Sequence, residues 1–327
     1  MGAEAPFSKN VLVLDCAAEV QKIANVLREA VLKRFKKQGV VVALSGGIDS
    51  SVVGALCAAA LGKERVLGLL MPEKDSSQQT RQLGRLIVEN LQIESVCEEI
   101  TGILDALGCY RRRDEAIRSL VPEFGPDWRC KIVLPSVLEQ DTYRLFSVVV
   151  ESPSGQRQSV RLTREAYLGI VAATNFKQRT RKTLEYYYAD RHNYAVAGTP
   201  NLLEYDQGFF VKNGDGSADI KPIAHLYKTQ VYQIARFLKL PDSICSQEPT
   251  TDTYSMPQSQ QEFYFSVPYD KMDLCLYAKN HNVPAPAVAA ETGLTVEQVE
   301  RVFRDIDAKR SVSQYLHSPP VLMEDIK

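Results

Sequence analysis

The sequence predicts an α/β fold, a doubly wound parallel sheet with helices on both faces, on three observations. Short apolar runs rich in β-branched residues alternate with helical patterns; the first such run ends in a Gly-containing turn; and the C-terminal stretch reads as helix alone. Alternation of this kind demands crossover connections, and right-handed crossovers bring the loops that follow each strand to one edge of the sheet, where ligands bind.

The elements follow in order. Residues 40–44 are an apolar strand, and residues 52–61 an Ala- and Leu-rich helix. Residues 66–71 make the next strand, 80–91 a helix, 95–100 a short strand, and 194–198 a further strand running into Thr199. Two stretches look added. An insertion covers roughly residues 110–165, in which runs 145–150 and 159–162 flank Pro153-Ser154-Gly155 and predict a β-hairpin projecting from about 122–163. A helical C-terminal region spans 269–327, with helices over 287–292 and 296–306 separated by Gly293, and Leu316-His317-Ser318-Pro319-Pro320 ends regular structure. Without repeats or a low-complexity linker, residues 1–327 read as a single domain.

Composition narrows the classes. The 39 Lys and Arg balance 40 Asp and Glu, which gives no electrostatic reason for nucleic-acid binding. No apolar run reaches the ~20 residues of a membrane span, and no charged-then-apolar leader opens the chain. Seven scattered cysteines form no Cys-x-x-Cys pair, so a cytoplasmic protein with reduced thiols is the natural reading.

The sharpest feature is Ser45-Gly46-Gly47-Ile48-Asp49-Ser50-Ser51 between a strand and a helix. Glycines let the backbone turn tightly and present N–H groups to phosphate oxygens. The helix N-terminus adds partial positive charge, and three serines add hydroxyls. There is no Walker-type Lys, so γ-phosphate transfer is not the obvious task. Asp49 would be repelled by phosphate unless a divalent cation lies between them, which implies Mg²⁺. A bland alternative, a structural turn with a Ser/Asp cap, requires strand, turn and helix to fall in line by chance. The loop resembles the pyrophosphate loop of the N-type ATP pyrophosphatases, which cleave ATP between its α- and β-phosphates and form adenylated intermediates. The relatives implied include GMP, argininosuccinate and asparagine synthetases, tRNA thiolases and NAD synthetase.

A second cluster chooses among them. Asn175-Phe176-Lys177-Gln178-Arg179-Thr180-Arg181 opens an aromatic-rich helix through Tyr186, Tyr187 and Tyr188. It is followed by Gly198-Thr199-Pro200-Asn201-Leu202-Leu203-Glu204, by Lys212-Asn213-Gly214-Asp215-Gly216-Ser217-Ala218-Asp219, and by Lys228 and Glu248-Pro249-Thr250. Cations, carboxylates and hydroxyls gather here at turns rather than on a helix face. Lys212, Lys228 and Arg179 suit polyphosphate or dinucleotide phosphates, and Glu204 can share a cation with Asp49 on the same sheet edge. Surface turns with ordinary charge pairs are the alternative.

In residue order and spacing, residues 175–250 resemble NAD synthetase, an enzyme with a Rossmann-like, adenine nucleotide alpha hydrolase-like fold. The resemblance implies Asp49 and Glu204 as Mg²⁺ ligands, and Ser45, Gly46, Gly47, Asp49, Ser50, Ser51, Thr199, Lys228 and Thr250 at ATP. It implies Arg179, Lys212, Asp219, Glu262 and His317 at deamido-NAD, with Asp49, Lys228 and Glu204 carrying the chemistry in a homodimer. The chain departs from the family pattern at Gln261, Ser266 and Ser318, where Asp, Gly and Lys are usual, so the adenylation half matches and the acceptor half is altered.

The reaction implied is attack of a carboxylate on the α-phosphorus of ATP, then of ammonia on the acyl-adenylate, with release of AMP and pyrophosphate. Only 44 residues precede Ser45, too few for the amidase domain of glutamine-using members, so free ammonia or a separate glutaminase is expected. The alternatives are the same chemistry on another nucleotide-linked or sugar carboxylate, or a tRNA-modifying pyrophosphatase. The latter would want basic patches and paired cysteines. His225 reads as a hydrogen-bonded structural residue rather than a catalytic one.

Overall fold

The computed structural model describes residues 7–138, 145–251 and 253–324. Helix α1 (Cys16–Arg28) starts on Asp15, whose carboxylate caps the Ala18 amide, and leads to strand β1 (Val40–Ala43). Helix α2 (Ile48–Leu61), strand β2 (Val66–Leu70), helix α3 (Gln78–Leu91) and strand β3 (Glu94–Cys97) follow. Helix α2 begins four residues before the sequence suggests, so Asp49, Ser50 and Ser51 sit in its first turn. Strand β3 ends at Cys97 rather than 100, because Ile100 already caps helix α4 (Thr101–Ala106).

Helix α5 (Cys109–Arg118), strands β4 (Arg129–Val133), β5 (Ser147–Glu151) and β6 (Arg157–Arg161), and helix α6 (Arg164–His192) come next. The expected hairpin is present as β5–β6, with Glu151 opposite Arg157. It is part of a larger device, since β4 pairs antiparallel with β5 and makes a three-stranded sheet. Residues 139–144, within the segment expected to project, lie outside the described residues. Helix α6 corrects the expected opening at Asn175: Thr163 caps it at the Ala166 amide and it runs 29 residues, which places Asn175 mid-helix. Strand β7 (Ala195–Ala197), α7 (Leu202–Gln207), α8 (Lys228–Phe237), α9 (Asp242–Cys245), α10 (Tyr269–Asn280), α11 (Ala285–Thr292) and α12 (Val296–His317) complete the order. The last helix outruns its expected end at 306 by three turns.

The main sheet has the order β3-β2-β1-β7, all parallel, with Val40 opposite both Val66 and Ala195. The chain therefore builds outward from β1 on one side and returns through β7 on the other. Loops after β1 and β7 part at this switch point and leave a crevice. Alternate residues of β1 serve opposite faces. Val40 and Val42 pack with Leu27, Val52, Leu56 and Val231 of α1, α2 and α8, whereas Val41 joins Leu104, Tyr110 and Tyr188 of α4, α5 and α6. A third apolar cluster gathers α10, α11 and α12, and a fourth fills the space between the three-stranded sheet and α5–α6.

Candidate active site

The crevice opens into a cavity of about 650 Å³, within the range that holds small ligands. Ser45, Gly46, Gly47, Asp49, Ser50, Thr199, Glu204 and Thr250 all line it, so three separate sequence segments converge. Gly46 has φ +78°, and a Cβ there would lie 2.6 Å from the Gly84 amide nitrogen and from Leu83 Cβ of α3. Only glycine permits this loop to pass so close to α3. The hydroxyl of Ser50 donates to the Gly47 carbonyl at 3.1 Å and lies 3.2 Å from Ser45 Oγ, which accepts from the Gly47 amide at 3.3 Å. These internal bonds hold the loop open over the first amides of α2, whose N–H groups have no partner within the helix. Ser51 is buried and donates to Gly47 O at 2.8 Å, a support for the loop rather than part of the wall.

Three charged side chains meet behind the loop. Asp49 Oδ2 pairs with the Lys228 ammonium, and its Oδ1 accepts from Asn201 Nδ2 at 3.0 Å. The Asn201 backbone amide donates to Glu204 Oε2 at 3.1 Å while Asn201 Oδ1 accepts from the Glu204 amide, a reciprocal cap that starts α7 and fixes the carboxylate. Gln260 Nε2 donates to Glu204 Oε1 at 3.1 Å, and the Tyr269 hydroxyl donates to Gln260 Oε1 at 2.8 Å, which settles the orientation of that amide. Burial, then the neighbouring Asp49 carboxylate, push the Glu204 carboxyl well above the usual range. Burial alone would depress the Lys228 ammonium, but Asp49 and Glu204 outweigh it and hold the proton on. Lys228 is fully buried at the first turn of α8 and stands behind Asp49 instead of in the cavity wall.

The cavity floor carries a second ionic group. Lys177 of α6, 1% exposed, donates to Glu73 Oε1 at 2.8 Å, Asp75 Oδ2 at 2.7 Å and the Thr253 carbonyl at 2.7 Å. Arg113 of α5 reaches the same Asp75 oxygen at 2.7 Å, and the Tyr110 hydroxyl donates to Glu73. Burial would raise the Asp75 carboxyl, but Lys177 and Arg113 overcome this and hold it below the ordinary value of 3.8. Further along α6, Lys182 and Glu185 pair at 2.6 Å beside Asp215, and burial pushes both carboxyls up.

The remaining expected residues lie elsewhere. Arg179 is on the outer side of α6, its Nε donating to the Lys212 carbonyl at 3.3 Å. Lys212 Nζ bonds the Tyr315 and Ser318 carbonyls at 2.8 and 3.0 Å, where α12 ends. Asp219 accepts from the Val196 amide at 2.7 Å and from the Tyr186 hydroxyl at 3.3 Å, at the margin of β7. His317 packs edge-on against Tyr205 and Phe210. Glu262 is paired with Lys131 of β4 at 2.5 Å and does not line the cavity; Gln260, two residues earlier, does. His225 pairs with Glu19 of α1 at 2.7 Å, as a structural histidine would. Arg179, Glu204 and Lys228 sit on helices, not at the turns expected for them. Of the residues not singled out from sequence, Asn201 had a legible signal, Asn-x-x-Glu being a capping pattern. Lys177 and Gln260 had none.

Comparison with known proteins agrees with this construction. The family model described as NAD synthase matches residues 19–121 and 152–314. A Mesorhizobium japonicum protein named NH(3)-dependent NAD(+) synthetase is 55% identical over 97% of this chain and 99% of its own length. A Rhizobium meliloti protein of the same name is 54% identical over 98% and 96%. The solved NH3-dependent NAD synthetase of Campylobacter jejuni superposes with a TM-score of 0.63 at 24% identity, over 95% of this chain and all of its own, and so reports on the fold. With most of its length matched by the model and its relatives aligned nearly end to end, the chain belongs to the NAD synthase family.

Proposed function

We propose that the protein converts nicotinic acid adenine dinucleotide (deamido-NAD) to NAD, consuming ATP and ammonia and releasing AMP and pyrophosphate. It is a ligase that forms a C–N bond. The observation that carries this reading is convergence on one cavity of the glycine loop, Thr199, Thr250 and the Asp49–Glu204 pair, in a chain more than half identical to proteins named NH(3)-dependent NAD(+) synthetase.

The loop amides and the hydroxyls of Ser45 and Ser50 bind the phosphates of ATP, with Thr199 and Thr250 facing the nucleotide. The nicotinate carboxylate oxygen attacks the α-phosphorus, the bond to pyrophosphate breaks, and an acyl-adenylate forms. Ammonia adds to the acyl carbon, loses a proton, and AMP departs. Burial keeps water from the adenylate. Lys228 pairs with Asp49 from behind and fixes the orientation of its carboxylate. Asp49 and Glu204 fit a divalent cation: a half-buried and a buried carboxylate line the cavity beside one ammonium, and hard oxygens with the substrate's phosphates suit Mg²⁺. That cation would supply charge neutralisation on the departing pyrophosphate. Arg179, Lys212, Asp219 and His317 are assigned to the acceptor dinucleotide, with the protein acting as a cytoplasmic homodimer. No helix among the described residues is long and apolar enough to cross a membrane.

The test is direct. Purified protein with ATP, Mg²⁺, ammonium and deamido-NAD should release AMP and NAD in equal amounts. If AMP release required a different carboxylate, the acceptor assignment would fall while the adenylation site stood.

A further inference from the structure

Residues 122–151, which contain β4 and β5, lie outside both stretches matched by the family model. They are nonetheless built into the cavity. Phe146 lines it and stacks on Tyr167 of α6 with ring centroids 4.6 Å apart. The greater effect is indirect and runs through the chain between α9 and α10.

Residues 249–251 and 253–260 form a strap along the cavity wall, to which Thr250, Thr253 and Gln260 contribute. Thr250 bridges antiparallel to Ser259, the Gln260 amide donates to the Pro249 carbonyl at 3.0 Å, and the Thr251 amide to the Gln258 carbonyl at 3.1 Å. The two limbs therefore present Thr250 and Gln260 to the cavity together. The tip of the strap is held from behind by β4. The Cys130 amide donates to Ser255 Oγ at 2.9 Å, and its carbonyl accepts from the Met256 amide at 3.1 Å. Gln258 Nε2 donates to the Ile132 carbonyl. Lys131 Nζ reaches the Pro257 carbonyl at 3.4 Å and Glu262 at 2.5 Å. Tyr254, 5% exposed, plugs into the apolar cluster beneath the three-stranded sheet with Cys130, Ile132, Val148 and Val150. A polar loop this long, carrying Thr-Thr at one end and Ser-Gln-Gln at the other, has little local reason to adopt one conformation. The anchoring comes from β4.

We propose that the inserted sheet is a clamp that holds this strap in the cavity wall before substrate arrives, with Lys131 and Ser255 as positioning residues acting through Thr250 and Gln260. The inference rests on ATP occupying this cavity. A clamp of this kind removes an ordering cost from binding, so it acts on affinity and leaves the bound complex, where substrate itself helps to seat the strap, little changed.

The experiment compares wild type with Lys131→Met/Ser255→Ala. In ligand-free protein, amide exchange over residues 250–260 should speed up about tenfold or more, while β1 and β2 exchange at their wild-type rates. Binding of α,β-methylene-ATP should weaken by about tenfold, and KM for ATP should rise by a similar factor with kcat within about twofold. The conservative pair Lys131→Arg/Ser255→Thr should restore both exchange and affinity. Unchanged exchange in the strap, or a fall in kcat with KM unmoved, would overturn the clamp. Should the double variant unfold, Lys131→Met alone supplies the same comparison. If wild type bound the analogue but made no NAD, the function reading would fail, and the exchange and binding arms would still decide on the clamp.

Discussion

Asp49 and Glu204 share a single buried ammonium, and that ratio sets how each substitution should behave. Asp49→Asn keeps the volume and the contact to Asn201 but removes a charge that ATP binding needs. AMP release should fall at least about a thousandfold with the melting temperature little changed. Near-normal AMP release from Asp49→Asn would remove this loop from the chemistry. Lys177→Met differs in kind. It takes from buried Glu73 its ion-pair partner and from Asp75 one of two, and losing one partner of such a group typically costs about 3–5 kcal/mol, readable as a shift in urea midpoint. The same network has a pH sign. The folded-state pKa of Asp75 is depressed, so its stabilisation is complete above the ordinary value of 3.8 and is lost as pH falls below it through the folded value. Urea midpoints of wild type should decline below about pH 4, and an Asp75→Asn variant should show a shallower decline there.

At the scale of elements, the glycine loop was legible because its residues are consecutive and their chemistry is local. The strap was not, because Gln260 reaches Glu204 only once Ser259 bridges back to Thr250 and the strap's tip docks on β4. Helix α6 was misread at its start because Arg164 to Ala173 offers apolar and polar residues without a break, and only the Thr163 cap marks the boundary. The third strand of the inserted sheet was missed for a related reason. Arg129-Cys-Lys-Ile-Val alternates over just five residues, too short to stand out from loop. The loop itself yields a prediction. Gly46→Ala places a methyl 2.6 Å from the Gly84 amide nitrogen at a φ that disfavours side chains, so α3 or the loop must move. Binding of α,β-methylene-ATP, followed by calorimetry, should weaken by at least tenfold, with about 1–3 kcal/mol lost in stability. Unaltered affinity would mean that the loop tolerates displacement and does not grip phosphate through its backbone.

Across the whole molecule, the parallel sheet and its switch point follow from strand–helix alternation, which the sequence shows plainly. The order β3-β2-β1-β7 then forces the crevice to open beside the glycine loop. The cavity's closure was not legible, since its walls come from α6, the strap and Phe146 of the insert, which are distant in sequence. Strand β3 ends at the same edge, and its last residue, Cys97, is the one exposed cysteine of the seven and part of the cavity wall. The protein thus carries its own chemical footprinting handle. A maleimide should label Cys97 ahead of the two half-buried and four buried thiols, and saturating α,β-methylene-ATP should slow that labelling several-fold, as read by intact-mass spectrometry. Labelling at the same rate with and without nucleotide would place ATP outside the reach of β3. If protection is seen, occupancy of the site can be followed in the native chain without introducing a probe.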